Sequence, residues 1–283
     1  MTAMSSAGLL QQAGLDPMTR AILMGTTFLD NCGAQSWNLR LVGITTTFTL
    51  WMIRVIFQKK RGVDWYALLH ALISSLGSIL CVYLDLFAAE TLTGTPEPLR
   101  SCQCAPPLTS LHRILPAITM GYSLFDLLDG LTIGIDFALH GLATLLIMAF
   151  FCEHDVPHII TPMLLMEAST PFLAIVKADF FSETASLLNQ MGFALTFFSC
   201  RIVIVPYMWL SLMWTMMEQK SSPRYQECFP SYLFPVSFIF GMFFNVLNLY
   251  WFIKIVKKAR RKLLGIEKVH HGNELNENKV KRV

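Results

Sequence analysis

The stretch GYSLFDLLDGLTIGIDFALHGLATLLIMAFF, residues 121–151, is almost wholly apolar but contains three aspartates and one histidine. A helix that crosses a bilayer needs about 20 mostly apolar residues, and the stretch covers parts of two such windows, 114–133 and 135–152. An ionisable side chain near mid-bilayer costs roughly 2.5–3.5 kcal/mol on insertion scales unless it pairs or faces water. The stretch therefore predicts membrane helices that turn their charged groups toward the interior of a bundle.

The rest of the chain follows the same pattern. Of its 283 residues, 54% are hydrophobic and only 14% are charged, which leaves too little polar surface to cover a soluble globule. Together these features predict an all-α polytopic membrane protein with about seven transmembrane helices. The five further apolar windows fall at 38–57, 66–88, 159–176, 190–216 and 232–256.

Two prolines interrupt the window at 159–176. Pro162 and Pro171 each remove a helical hydrogen bond, which membrane proteins tolerate where neighbouring helices, hydroxyls or cavity water satisfy the freed backbone groups. Ser169 and Thr170 would serve that purpose. This window therefore predicts either a kinked span or a re-entrant hairpin.

Basic residues set the expected orientation. Ten of the 22 Lys and Arg lie from Lys254 onward, and a Lys-Lys-Arg run at 59–61 follows the first window. Cytosolic segments carry such an excess, and the N-terminus lacks the pattern of a cleaved signal peptide. Seven spans then give three regions: a lumenal N-terminal segment at 1–37, a transmembrane domain at 38–258 and a basic cytosolic tail at 259–283.

Four cysteines fall on the predicted lumenal side, where oxidation is possible. One lumenal disulfide is expected among Cys32, Cys102, Cys104 and Cys228. The Cys-x-Cys spacing at 102–104 also occurs in metal sites, but no His or carboxylate pattern completes a zinc set in that loop. No metal site is expected.

The last five residues, Lys-Val-Lys-Arg-Val at 279–283, resemble the Lys-x-Lys-x-x retrieval signal of endoplasmic reticulum membrane proteins. Such a signal is read by a receptor and works only at a cytosolic C-terminus, where the charge distribution independently places it. Lys279 and Lys281 are therefore expected to hold the protein in the endoplasmic reticulum membrane, or return it there from the Golgi, by binding a retrieval coat. The alternative is that the tail only rests against anionic headgroups.

Polar residues are densest in the third to sixth windows. Asp126 and Asp129 are three residues apart, on one helical face. Asp136, His140 and Thr144 recur every four residues, so one helical stripe presents a carboxylate, an imidazole and a hydroxyl. A carboxylate one turn away would orient the imidazole. The structural alternative is that Asp136 caps its helix at the headgroup boundary while His140 joins two helices.

Buried charges also occur in the fifth and sixth windows. Glu167 and Thr170 lie in the fifth window and Arg201 in the sixth. A pair between Glu167 and Arg201 would neutralise both charges, and such compensation alone would make them tolerable. Ionisable residues inside a membrane also indicate function by default, so both interpretations stand.

Five separate segments carry the pattern of a known family: Tyr122–Asp126, Asp136–His140, Met166–Phe172, Arg201–Tyr207 and Asn248–Phe252. The Ser-Thr-Pro-Phe and Cys-Arg-x-x-x-x-Pro-Tyr runs are the most specific. They resemble the TLC-domain family, named for translocating-chain-associated, longevity-assurance and ceroid-lipofuscinosis membrane proteins, over roughly residues 38–258. The resemblance is to the non-classical, TLC-domain-containing branch rather than to the translocon-associated members.

This resemblance implies an endoplasmic reticulum protein with a TLC-type bundle around a lipid-accessible cavity, and functions from ceramide synthesis to lipid sensing and cargo export. The family's ceramide synthases transfer a fatty acyl group from coenzyme A to a sphingoid amine. They carry two adjacent histidines where this chain has His140 and Gly141. Because a second imidazole tunes the first or relays its proton, its absence argues against efficient acyl transfer.

The leading hypothesis is lipid homeostasis in the endoplasmic reticulum, with sphingolipids and ceramide among the lipids concerned. The protein would bind, sense or move a membrane lipid inside the bundle. Polar residues expected to line the cavity are Asp126, Asp129, Asp136, His140, Thr144, Glu167, Thr170 and Arg201. Acyl chains are expected against Phe197, Phe198, Phe243 and Phe244.

Two alternatives remain. The first is a single-histidine N-acyltransferase, in which His140 is the base or nucleophile, Asp136 orients it, and Arg201 or Lys177 attracts the phosphates of acyl-coenzyme A, the co-substrate. The second is an export receptor whose lumenal loops bind cargo. No other cofactor and no nucleic acid partner is expected. Rhodopsin-like receptors and transporters are disfavoured, because the chain lacks the receptor motifs and any convincing inverted repeat.

Overall fold

A computed structural model describes residues 39–57, 63–88, 109–154, 156–176, 178, 180–219, 221 and 231–263. Several sequence-based expectations concern residues outside these ranges and stay predictions. They are the N-terminal segment, the basic run at 59–61, the disulfide among Cys32, Cys102, Cys104 and Cys228, the phosphate-attracting role of Lys177, and the tail with Lys279 and Lys281.

The described chain is built of helices and contains no strand. Its α-helices are α1 (Leu39–Phe57), α2 (Trp65–Tyr83), α3 (Leu111–Ile133), α4 (Ile135–Glu153), α5 (Thr170–Ala174), α6 (Glu183–Thr196), α7 (Val205–Gln219) and α8 (Leu233–Leu263). The π-helical segments are Leu84–Ala88, which extends α2, and Phe197–Ile204, which joins α6 to α7. Two 3₁₀ helices precede α5, a short one at Pro157–Ile159 and a longer one, called here the 3₁₀ segment, at Thr161–Ser169.

Five helical stretches of the described chain are long and apolar enough to cross a membrane. They are Trp65–Leu86, Leu111–Ile133, Ile135–Glu153, Glu183–Glu218 and Leu233–Arg261. This confirms the all-α polytopic membrane fold. The first predicted window also forms a helix, the 19-residue α1. The lumenal and cytosolic placement of the two termini stays a prediction.

The window at 159–176 does not form one continuous helix. It folds as the nine-residue 3₁₀ segment followed by the five-residue α5. Pro162 and Pro171 each stand in the first turn of one piece, where a missing N–H leaves no helical bond unmade. Ser78 of α2 donates to the carbonyls of Thr161 and Pro162, at 3.0 and 3.2 Å, so a neighbouring helix satisfies part of the interrupted backbone.

The α3–α4 hairpin is the tightest contact that positions the polar residues. A single residue, Gly134, separates the two helices. Gly130 lies against the backbone of Ala138, and Gly141 lies against Leu127. A Cβ atom on Gly141 would stand 2.7 Å from the Leu127 Cα, closer than real Cβ atoms come. The helices therefore meet backbone to backbone, as small residues permit in membrane bundles.

The main apolar core lies between α2, α3, α4, the 3₁₀ segment, α7 and α8. Large apolar side chains also cover the outside of the bundle, which suits a lipid environment. Leu146, for example, is 52% exposed while its neighbour Ile147 is 2% exposed. Fully buried members of the core include Leu115, Ile147, Phe151, Ile159, Leu212 and Met216.

Candidate functional site

A cavity lies within this core. It measures about 690 Å³, including the part that opens to the surroundings. Most of its lining residues are aliphatic, thioether or aromatic, and they include Ile147, Met148, Phe151, Met163, Leu212 and Phe240.

Five polar side chains complete the wall: Thr119, Thr144, Glu167, Ser237 and Asn245. The chain reverses direction between α4 and the 3₁₀ segment, which places Thr144 and Glu167 toward the same end of the cavity. Asn245 lies toward that end as well, because Asn248, the next turn of α8, contacts Arg201, the partner of Glu167. Ser237 lies about 12 Å away along α8, given a rise of 1.5 Å per residue. The cavity thus has a polar end and a long apolar body.

Arg201 neutralises Glu167 at the polar end. Its Nη2 lies 3.5 Å from Glu167 Oε1 and also donates to Thr170 Oγ1 at 3.1 Å. Thr170 in turn donates to Glu167 Oε2 at 2.7 Å. Arg201 Nε donates to the Met166 carbonyl and to Ser169 Oγ. The predicted Glu167–Arg201 pair is therefore present, and the hydroxyls of Ser169 and Thr170 both accept hydrogen bonds from the guanidinium.

The π-helical segment places Arg201 on the inner side of the bundle. Its guanidinium lies over the ring of Phe197 at 5.3 Å and that of Trp251 at 6.0 Å, and Nη1 lies 3.5 Å from Asn248 Oδ1. π-Helical turns inside α-helices occur frequently at functional sites, because the extra residue shifts which side chains face inward. Arg201 is 6% exposed, so its charge is held almost wholly within protein.

His140 pairs with Asp126. Its Nδ1 lies 2.9 Å from Asp126 Oδ2, across the α3–α4 hairpin. The expectation that Asp136 orients His140 is wrong, because the close hairpin brings a carboxylate of α3 to the imidazole while Asp136 turns toward α8. The alternative interpretation, in which His140 joins two helices, predicted such an interhelical hydrogen bond. His140 Nε2 is buried and has no hydrogen-bond partner among the described residues.

Asp136 and Asp129 occupy separate places outside the cavity wall. Asp136, in the first turn of α4, accepts from Trp251 Nε1 at 2.9 Å and Lys254 Nζ at 3.0 Å. Asp129, on α3, is bound by the Tyr66 hydroxyl and the Arg54 guanidinium. Of the eight polar residues predicted to line the cavity, Thr144 and Glu167 do so, whereas Asp126, Asp129, Asp136, His140, Thr170 and Arg201 lie outside its wall. Although Asp126 and Asp129 are three residues apart, they contact different neighbours: Asp126 contacts His140 of α4, and Asp129 contacts groups of α1 and α2.

The predicted phenylalanine wall is only partly at the cavity. Phe244 lines it, and Phe243 packs against Phe244. Phe197 stacks beneath Arg201, while Phe198 is 44% exposed and faces away from the interior. Methionines and isoleucines also line the cavity, and sequence reasoning did not select them: Ile147, Met148, Ile160, Met163 and Met166. Whether any of these residues contacts a lipid stays a prediction.

Sequence reasoning missed a polar ladder on α8. Its members recur every three residues: Asn245, Asn248, Trp251 and Lys254. They lead from the cavity wall, past Arg201, to the exposed Lys254–Asp136 pair. The regular spacing of these polar groups in an otherwise apolar helix could have been recognised in the sequence.

A second missed group connects α2 to the cavity. His70 Nε2 lies 3.0 Å from Ser74 Oγ and 3.3 Å from Thr119 Oγ1, and its ring stacks on Tyr122 at 3.7 Å. The repeat of His70, Ser74 and Ser78 at intervals of four residues was visible in the sequence. Thr119, which lines the cavity, is thereby held by a buried imidazole.

The assembled site can accept a hydrocarbon in its body and a polar group at its Glu167 end. The carboxylate there carries no uncompensated charge, and hydroxyl and amide groups supply both donors and acceptors. Within the described ranges, no group of three or more His, Cys, Asp or Glu could hold a metal ion.

An apolar cavity enclosed by membrane-spanning helices defines the class, a polytopic membrane protein with an internal apolar site. A family model described as the TLC domain matches residues 105–257, more than half of the chain, and the protein belongs to this family. Membership connects it with membrane lipid function in general. No curated protein and no solved structure matches the chain.

Proposed function

We propose that the protein acts in lipid homeostasis of the endoplasmic reticulum by holding the hydrocarbon chain of a membrane lipid inside its bundle. The cavity of about 690 Å³ is the observation that carries this proposal. An apolar void in a bilayer protein is open to the most abundant apolar molecules around it, which are lipid chains. Polar groups gathered at the Glu167 end then meet the polar part of the lipid.

The composition of the wall supports a flexible chain as ligand. Met148, Met163 and Met166 all line the cavity. Methionine has three rotatable bonds and a polarisable sulfur, so it adapts to chains of different shape. A wall of this kind suits a protein that binds, senses or moves lipids of related structure rather than one rigid molecule.

The test is photocrosslinking of the purified full chain in nanodiscs with a lipid that carries a photoreactive group on its chain. Ile147→Trp places an indole in the cavity and is expected to remove most of the crosslinking. Leu146→Trp, one residue away on the outer face, is the matched control and should crosslink as the wild type does. Equal labelling of all three proteins would reject the cavity as the lipid site.

Residence in the endoplasmic reticulum is the second element of this proposal. It is supported by the Lys-x-Lys-x-x pattern of Lys279 and Lys281. Replacing both lysines by serine should move the protein from the endoplasmic reticulum to later compartments, as seen by fluorescence microscopy. Replacement of Lys262 and Lys268 by serine keeps the pattern and removes the same charge from the tail, so it should not move the protein.

One observation favours acyl transfer as a second candidate. Asp126 accepts from one side of the His140 ring, which leaves Nε2 without a partner among the described atoms. An imidazole oriented in this way can act as a general base. The test supplies labelled sphingoid base and acyl-coenzyme A to wild type and His140→Ala. Product that disappears in the variant supports an enzyme, and a folded wild type without product rejects this candidate.

A further inference from the structure

We infer that the cavity selects lipids whose buried head is uncharged and hydrogen-bonding, such as a hydroxyl or an amide, and excludes permanently anionic or cationic heads. This inference rests on the proposed function, because it names the ligand class of the same cavity. It follows from how the charges around the cavity are balanced.

Glu167 is the one ionisable side chain of the cavity wall within the described residues. Its charge is already matched by Arg201, 3.5 Å away. All three nitrogens of that guanidinium are engaged, by Met166 and Ser169 at Nε, by Asn248 at Nη1, and by Thr170 and Glu167 at Nη2. The guanidinium is therefore fully engaged, and among the described residues of the cavity wall no unpaired cation is available to a ligand anion.

A charged lipid head at the polar end of the cavity would have no counter-charge. An anion would face the Glu167 carboxylate, and a cation would bring a second positive charge to a site that Arg201 has already neutralised. Both residues are at least nine-tenths buried, at 7% and 6% exposure, so water screens neither. Burial of an unpaired charge is strongly unfavourable, whereas a neutral polar group needs only a hydrogen bond.

Hydrogen bonds are available at both ends of the cavity. Thr144 and Asn245 line the same cavity as Glu167, toward its polar end. Toward the other end, Ser237 Oγ is buried and has no partner among the described atoms, although its residue lines the cavity. A buried hydroxyl without a partner is unfavourable and is satisfied when a ligand supplies one. A hydroxyl or amide head is therefore matched in either orientation of the chain.

The experiment compares ligands that share one long chain and differ only in the head. Each competes with the photoreactive lipid for the full chain in nanodiscs, and only the labelling lost in Ile147→Trp is counted. The charged heads are sulfonate and trimethylammonium, which stay charged at every pH. Their size-matched uncharged counterparts are methyl sulfone and tert-butyl, and the primary alcohol and primary amide represent the favoured class.

The alcohol and the amide are expected to compete best. The sulfonate should compete more weakly than the methyl sulfone, and the trimethylammonium more weakly than the tert-butyl compound, each by about tenfold or more. A charged head that competes as well as its counterpart overturns the inference. Failure of the proposed function would look different, because then no labelling would depend on Ile147→Trp.

A variant tests the cause of the selectivity. Glu167→Gln keeps the shape of the side chain but leaves Arg201 without its counter-charge. The sulfonate should then gain about tenfold relative to the methyl sulfone, while the tert-butyl compound should be unchanged. An unchanged sulfonate in a folded variant overturns the charge-balance argument, and if this variant does not fold, the wild-type comparison decides alone.

Discussion

The imidazole of His140 and the carboxylate of Asp126 join α3 to α4, with Nδ1 2.9 Å from Oδ2. The contact stands beside Gly141, where the two helix backbones touch. A hydrogen bond between side chains is thus placed where two membrane helices meet backbone to backbone. It can stabilise the hairpin, orient the histidine, or do both, and these roles are separable by mutation.

The first prediction concerns this pair. Asp126→Asn and His140→Gln should each lower the free energy of unfolding in detergent by about 1–3 kcal/mol, because each leaves a partly buried polar partner less well satisfied. The double variant should lose less than the sum of the two, as expected for residues in contact. Asp136→Asn is the control, since it belongs to a different pair. A coupling to His140 as large for Asp136 as for Asp126 would contradict the structure.

The second prediction concerns the buried ion pair. Arg201→Gln leaves Glu167 buried without its partner and should cost about 3–5 kcal/mol in chemical unfolding. The double variant Arg201→Gln/Glu167→Gln should recover part of this loss, because the uncompensated charge is gone. Arg260→Gln, at an exposed position near the end of α8, is the control and should have little effect. A double variant less stable than Arg201→Gln would refute mutual compensation.

The third prediction concerns the glycine where α3 and α4 meet. Gly141→Ala forces a methyl group against the Leu127 backbone and should destabilise the protein by about 1–3 kcal/mol or more. Gly134→Ala is a matched control, because its Cβ would stand 3.0 Å from the flexible Asp136 side chain and not against backbone. The melting temperatures of the two variants are then compared. If Gly141→Ala is as stable as Gly134→Ala, α3 and α4 are not packed backbone to backbone.

The same contact bears on acyl transfer. Gly141→His would restore the two adjacent histidines of the ceramide synthases, but the α3 backbone leaves no room for that side chain. We expect this variant to fail to accumulate as folded protein rather than to gain activity. The missing histidine therefore has a structural cause in the packing of this chain. A folded Gly141→His protein with transferase activity would show the opposite.

The fourth prediction concerns the interrupted window. Ser78→Ala removes the hydroxyl that serves the carbonyls of Thr161 and Pro162, and should cost about 1–3 kcal/mol. Amide hydrogen exchange should also rise in the 3₁₀ segment. Ser75→Ala is the matched control, because that hydroxyl makes only a 3.5 Å contact within its own helix. Unchanged exchange in Ser78→Ala would mean that other groups hold the segment.

Much of the fold follows from the sequence, because crossing a bilayer imposes long apolar helices. The same logic predicted that Glu167 and Arg201 compensate each other, since two buried opposite charges lower each other's cost. The partner of His140 was not predictable in this way. Helical spacing favours Asp136, one turn away, but the choice of Asp126 depends on how α3 and α4 are rotated against each other.

The cavity and the break in the fifth window were still harder to predict from the sequence. A cavity is the volume that side chains fail to fill, and hydropathy carries no information on that volume. Pro162 and Pro171 indicated an interruption, yet the carbonyls they disturb are served by Ser78, far away in sequence. By contrast, the ladder on α8 was available from spacing alone.

The two sides of the cavity differ in what would have to move to open them. On the α3–α4 side the backbones touch, so movement there would require whole helices to separate. On the α7–α8 side the indole of Trp209 lies over Gly241, and a side chain fills the gap between the helices. Side chains reorient far faster than packed helices slide. If the cavity binds a lipid as proposed, we expect the lipid to enter from the bilayer between α7 and α8.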